Sequence, residues 1–358
     1  MRAHNFGAGP CTLPVDVLAE VQSEFLDFAG TGMSLIEMSH RSTEYDEVHM
    51  AALDATRRVS KAPDDFEILF VQGGATLQFA MVPMNLLSPQ DTAGVVVAGT
   101  WGQKALADGS KHGRLVTAWD GKESSYTTMP ASGEIDIDPR WRYLHVTTNE
   151  TIGGIRLVEL PETDVPLVAD MSSDYLSRPI DWDRFDLVYG GVQKNLAPSG
   201  MAVAFVRRSI CESPANDLAN YLSYGFHAES DSLGNTPPMF SIYVMGKVME
   251  RLEQQGGIEA LERRSAEKAG LLYSVIDDSD GFYRSPVDPA VRSHMNVVFR
   301  LPTEDLEARF LAEAEDRNMI GLKGHRSVGG CRASLYAALE MSSVEALAAF
   351  MEEFRVRS

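Results

Sequence analysis

The chain has 358 residues and is 44% hydrophobic, enough to bury a sizeable core and to divide into two domains. Its formal net charge of −19 argues against non-specific nucleic-acid binding, and no run of about 18 apolar residues marks a membrane span. Cys11, Cys211 and Cys331 are far apart with no CxxC pair, which disfavours a disulfide framework or a zinc site and fits a reducing cytoplasm.

The first ten residues, MRAHNFGAGP, lack the apolar core of a signal peptide and end in a Gly/Pro-rich arm. Pro14 opens an amphipathic stretch over 15–28, with Val17, Leu18, Val21, Phe25 and Phe28 near helical spacing. Gly30-Thr31-Gly32 ends it, and the following loop delivers His40 and Arg41, a pair that on its own reads as solvated loop. A second helix, about 44–60, leads to a strand at 67–71 and then to Gln72-Gly73-Gly74-Ala75-Thr76. A glycine turn between strand and helix offers backbone N–H groups and a helix dipole to an anion, although a plain tight turn accounts for it equally well. The segment 77–87 reads as a helix despite Pro83.

A strand at 93–98 ends in Gly99-Thr100-Trp101-Gly102, where the Trp101 indole either stacks on a flat ligand or fills the core. A strand at 143–147 runs into Asn149-Glu150-Thr151-Ile152-Gly153-Gly154, a polar loop in which Thr151 offers a hydroxyl. The apolar run 165–169 stops at Asp170, and the run 185–188 is followed by Tyr189-Gly190-Gly191-Val192-Gln193-Lys194. Strands alternating with helices imply a mostly parallel sheet, and ligands of such sheets bind beyond the strand carboxyl ends. Asp170 and Lys194 therefore belong at one edge. Of the eight lysines only Lys194 sits between strand, glycines and strand, since 201–206 resumes an apolar run. A lysine can form a Schiff base with pyridoxal phosphate (PLP), and a carboxylate can hold the pyridine nitrogen protonated.

Pro237-Pro238 excludes helix after Asn235-Thr236, and 241–255 is then a strong helix candidate. Gly256-Gly257 reads as a hinge to a smaller α+β lobe: helix 258–278, strand 296–300, helix 303–318, a strand near 332–337 and helix 343–355. The expected division is an N-terminal arm 1–15, a large domain 16–257 and a small domain 258–358. In the small lobe, Lys323-Gly324-His325-Arg326-Ser327-Val328-Gly329-Gly330-Cys331-Arg332 packs basic groups among glycines in an acidic protein. Arg326 and Arg332 suit bidentate binding of carboxylate or phosphate. Cys331 is read as packing.

At this point a resemblance is plain. The segments NFGAGP, MSHRS, QGGAT, GTW, NETIGG, ADMSS, GGVQKNLAPSG, NTPP and LKGHRSVGGCRAS follow one another from residue 5 to 334 in the order found in the phosphoserine aminotransferases. These are class V, fold-type I PLP enzymes. The resemblance implies an α/β fold, with a large domain built on a mostly parallel seven-stranded sheet flanked by helices and a smaller α+β domain. It implies that Lys194 carries the cofactor, Asp170 pairs with its ring nitrogen, Trp101 stacks on the ring and Thr151 bonds the ring oxygen. Ala75, Thr76 and Gln193 would hold the cofactor phosphate, joined by Asn235 and Thr236 of a partner subunit. Arg332 would take the substrate carboxylate. His325 and Arg326, with His40 and Arg41 of the partner subunit, would take the substrate phosphate. Some family members carry Arg where this chain has Thr76, so the role of that side chain is less fixed than that of its backbone. The implied substrates are L-glutamate and 3-phosphohydroxypyruvate, in a cytoplasmic homodimer that needs no metal. An alanine–glyoxylate-type aminotransferase would share Lys194 and Asp170. A non-catalytic phospho-ligand sensor would use the basic cluster alone.

Overall fold

The computed structural model describes residues 2–358. Seven strands form the central sheet: β1 (Phe66–Gln72), β2 (Thr92–Val97), β3 (Arg114–Asp120), β4 (Leu144–Thr147), β5 (Leu167–Asp170), β6 (Phe185–Gly191) and β7 (Met201–Arg207). Their spatial order is β1-β7-β6-β5-β4-β2-β3. Only β7 runs antiparallel to its neighbours, pairing Ala202 with Gly191 on one side and with Val71 on the other. The other contacts are parallel, so β2, β4, β5 and β6 all end at the same edge. The central strands are covered on both faces and therefore read as continuous apolar runs. β4, β5 and residues 201–206 of β7 are wholly buried.

Helices cover both faces. Helix Thr43–Ser60, capped by Ser42 Oγ accepting from the Tyr45 N–H at 3.3 Å, packs along helix Met239–Gln254. Helix Gly74–Leu86 crosses the opposite face, where Phe79, Met81 and Val82 meet β1, β6 and β7. The sequence pattern passes over several elements, among them β3 and helix Thr100–Gly109. β3 was missed because it is the sheet's edge, where only Ala118 is buried and the apolar run is broken. Helix Thr100–Gly109 was missed because its N-cap, Gly99, has no side chain to announce it. The segment expected to be one helix over 15–28 is helical only to Glu24, and a separate 3₁₀ turn follows at Phe28–Gly30.

A second core lies around Phe299, Phe310, Phe350 and Phe354 in the C-terminal lobe. Its two-stranded antiparallel sheet pairs β8 (Asn296–Phe299) with β9 (Cys331–Ser334). Phe6 belongs to this core, and His4–Asn5 pairs with Met319–Ile320, so the N-terminal arm is built into the lobe. Helix Gly257–Asp277 begins on the large core through Ile258 and Leu261 and enters the small one at Ala269. Among the described residues no helix is long and apolar enough to cross a membrane.

Candidate active site

Chain order and sheet order together build the site. β6 ends at Gly191, and one 3₁₀ turn, Val192–Lys194, carries the chain over the carboxyl edge before β7 returns. Lys194 is thereby only 8% exposed, with its Nζ donating to Thr151 Oγ1 at 2.8 Å and lying 4.6 Å from the Trp101 ring centroid. Burial disfavours the ammonium and pushes Lys194 down to about 8; Asp170 and Glu150 oppose that shift and Arg332 adds to it. Near neutral pH a useful fraction of the side chain is therefore a free, nucleophilic amine.

Asp170 closes β5, the strand beside β6. Its Oδ1 accepts from the Ser172 N–H at 2.9 Å and from Ser172 Oγ at 2.6 Å. The same Ser172 hydroxyl accepts from the Gly191 N–H at 3.0 Å, which locks the ends of β5 and β6 together. Burial raises the Asp170 carboxyl, and the Lys194 charge and the Ser172 bonds act against that rise.

Asp170, Lys194 and Trp101 share a cavity of about 400 Å³ with the turn Gly73–Thr76 and with Ser199-Gly200. Gly73 and Gly74 have φ of 94° and 63°, the left-handed conformation that glycine adopts without strain. Through them the chain turns from β1 into helix Gly74–Leu86 with its N-terminal N–H groups at the cavity wall. The residues present fit PLP. An amine stands over an indole, a carboxylate shares the pocket, and a helix N-terminus can receive a phosphate. In addition Trp101 Nε1 and Gln193 Oε1 are buried without a partner, and both residues line the cavity.

A second cavity of about 260 Å³ lies beside Arg332, His325, Gly324, Ile152 and Tyr126. Arg332 reaches it from β9, donating Nη1 to the Thr151 carbonyl at 3.3 Å while its Nε has no partner. Partial burial and the neighbouring Arg332, Arg326 and Lys104 charges lower the His325 imidazole below its usual range. Arg300, His325 and Arg332 line this cavity, a basic setting that suits a dianionic ligand.

Of the residues singled out in the sequence, Lys194, Asp170, Trp101, Thr151, Ala75, Thr76, Gln193, His325 and Arg332 are brought to these cavities. His40, Arg41, Asn235, Thr236 and Arg326 line neither of them in a single chain. Thr236 instead accepts through its carbonyl from Gln72 Nε2 at 2.9 Å, and His40 Nε2 is buried and unpartnered. Two groups escaped the sequence reading. Glu150, fully buried, belongs to the motif already marked by Thr151. Lys104 lies one helical turn beyond Trp101, with its Nζ 4.6 Å from the same indole centroid.

The fold agrees with that of the chain's relatives. Residues 3–347 match the pattern of the class-V aminotransferase family. A phosphoserine aminotransferase from Geobacillus kaustophilus is 49% identical over 356 residues, covering 99% of each chain. The solved phosphoserine aminotransferase from Bacillus circulans subsp. alkalophilus superposes with a TM-score of 0.97 at 45% identity, covering 99% of each chain. A PLP-bound phosphoserine aminotransferase from Trichomonas vaginalis gives 0.93 at 32% identity, over 98% of this chain and 100% of that one.

Proposed function

The chain belongs to the class V aminotransferases, within the phosphoserine aminotransferase group, and from that premise we propose what each part of its site does. The reaction is transfer of the amino group of L-glutamate to 3-phosphohydroxypyruvate, yielding O-phospho-L-serine and 2-oxoglutarate. PLP, when bound, supplies a protonated pyridine ring that takes up the electron pair left when the substrate loses its α-proton. The observation that carries the reading is the buried Lys194 amine above Trp101, in one cavity with Asp170 and next to the Arg332–His325 cavity.

Lys194 Nζ takes the α-proton of the amino acid and returns a proton when the keto acid is converted. Asp170 keeps the ring nitrogen charged, and its two bonds from Ser172 fix the carboxylate for that task. The Thr151 hydroxyl accepts from Lys194 and would bond the ring oxygen. Ala75, Thr76 and Gln193 hold the cofactor phosphate at the start of helix Gly74–Leu86, with Asn235 and Thr236 of the partner subunit. Arg332 binds the α-carboxylate common to both substrates. His325, Arg326 and His40 and Arg41 of the partner subunit bind the second anionic group, phosphate or γ-carboxylate. The protein is on this reading a cytoplasmic homodimer; its three cysteines are unpaired, and burial raises the thiols of Cys11 and Cys211 to about 12.

A spectral titration tests it. The visible absorbance of the PLP-loaded protein should bleach with L-glutamate and return with 3-phosphohydroxypyruvate, but not with pyruvate or glyoxylate. Equal recovery with pyruvate would keep the aminotransferase and remove the phosphorylated substrate. No visible band after incubation with excess PLP would remove the enzyme reading.

A further inference from the structure

Trp101 owes its position to the backbone of helix Thr100–Gly109, and that helix begins without a local cap: its N-cap is Gly99, and no side chain of the segment bonds to the first turn. The free N–H groups of a helix start need acceptors when they are buried. They find them 48 and 49 residues away. Glu150 Oε1 accepts from the Gly102 N–H at 2.8 Å, and Oε2 accepts from the Trp101 N–H at 3.0 Å. The carboxylate is fully buried and meets the positive end of the helix dipole, a combination stronger than a neutral cap. The surrounding sequence leaves room for it. A Cβ at residue 99 would stand 2.6 Å from Glu150 Cδ, so any other residue there would have to displace the carboxylate.

The segment that carries Glu150 holds the other site groups as well. Asn149–Glu150 pairs with Ile155–Arg156 in a small hairpin. The next residue, Thr151, accepts from Lys194 Nζ through its hydroxyl and from Arg332 Nη1 through its carbonyl. Asn149 donates to Ser173 Oγ at 2.8 Å and to Asn296 Oδ1 at 2.9 Å, anchoring the turn to both domains. A movement of this turn therefore reaches the indole, the lysine and the arginine together.

We propose that Glu150 is a positioning residue of the cofactor site, whose carboxylate clamps the Trp101 and Gly102 amides and so sets the indole plane against the PLP ring. The inference rests on the assignment of the cavity to PLP. Burial raises the Glu150 carboxyl to about 7, with the two amides pulling it back; Glu150 in turn supports the Lys194 ammonium. A clamp that is also a charge predicts two separable effects. Replacing the carboxylate by an amide leaves one oxygen to accept, while the amide nitrogen faces an N–H donor.

The test uses apoprotein and PLP. Glu150→Gln should bind PLP about tenfold more weakly, read from quenching of tryptophan fluorescence, in a protein whose circular dichroism is unchanged. In a Trp101→Ala background the same substitution should cost much less than tenfold, because its target ring is gone. The pH at which PLP uptake reaches half its maximal rate should fall in Glu150→Gln, since Lys194 loses a supporting charge. A uniform structural loosening would not move it. Unchanged affinity and pH profile, or an equal loss with and without Trp101, would overturn the proposal. If Glu150→Gln does not fold, amide exchange in the unmodified protein decides. Trp101 and Gly102 amides as slow as those of β5 support the clamp, and exchange as fast as that of the uncapped first turn of helix Met239–Gln254 removes it. Failure of the unmodified protein to take up PLP would instead overturn the cavity assignment.

Discussion

Arg332 shows how much one guanidinium can decide. It reaches the cavity proposed for substrate from β9 and is held by a single 3.3 Å bond to the Thr151 carbonyl, leaving Nε for a ligand. A planar fork can bind a carboxylate through two parallel bonds, and an ammonium cannot. Arg332→Lys should raise KM for both substrates by about tenfold to hundredfold, with kcat changed far less, because both ground and transition states use the contact. Steady-state kinetics with each substrate varied in turn checks this. Lys194 gives a pH prediction. Its side chain loses its proton near pH 8 in the empty site, and only the neutral amine condenses with PLP. Uptake by apoprotein should therefore rise about tenfold per pH unit below 8 and level off above it, in stopped-flow absorbance. Lys194, Asp170 and Arg332 could be singled out in the sequence because each sits at a strand end or among glycines. Glu150 was not, because its partners are main-chain amides of a helix remote in sequence, and no spacing rule connects them. His40, Arg41, Asn235 and Thr236 were legible only through the family resemblance; neither of the two cavities described collects them within one chain.

At the scale of elements, the strands that position the site were the easiest to read. β5, β6 and β7 are buried on both faces and so spell themselves as apolar runs with sharp polar ends. Edge strand β3 mixes burial and exposure and spells nothing comparable. Helix Gly257–Asp277 carries a feature that no pattern announces. Its Lys268 is buried, with Nζ donating to the carbonyls of Leu335, Tyr336 and Leu339 at 2.9, 2.8 and 3.1 Å. These carbonyls lie just beyond β9, the strand of Arg332, and Ala337 in the same loop donates its N–H to Asn195 Oδ1, beside Lys194. The helix thus pins the segment joining the small lobe to the turn that carries Lys194. Removing three donors at once with Lys268→Met should destabilise the protein by about 2–3 kcal/mol, since buried carbonyls would be left unpaired. Burial pushes Lys268 down to about 7, below the 10.5 of an unfolded lysine. Between those values the unfolded chain binds more protons, so stability rises with pH, and the cost of burying the charge is complete below about 7. The gap between the natural protein and Lys268→Met should therefore widen from pH 6 to pH 9. Urea unfolding at the two pH values measures both effects.

At the scale of the whole molecule, the distribution of site residues carries an argument about assembly. The cofactor cavity and the Arg332 cavity draw on the large sheet and the small lobe of one chain. The proposed phosphate-binding groups His40 and Arg41 and the loop of Asn235 and Thr236 lie outside both. On the proposed reading, a closed twofold dimer in which each subunit lends these groups to the other's cavity would complete the site twice over. That arrangement has a consequence a self-sufficient monomer lacks. Chains bearing Lys194→Ala, and chains bearing His40→Ala together with Arg41→Ala, should each be nearly inactive alone. When the two are unfolded together and refolded at equal concentration, about half of the dimers are mixed. Each mixed dimer has one site with its lysine and the lent histidine and arginine all intact. The mixture should thus recover about a quarter of natural activity, measured as O-phospho-L-serine formed per minute. Refolding the variants separately before mixing should recover nothing. Recovery absent from the co-refolded mixture, in protein shown to be dimeric by sedimentation, would place His40 and Arg41 in the site of their own chain.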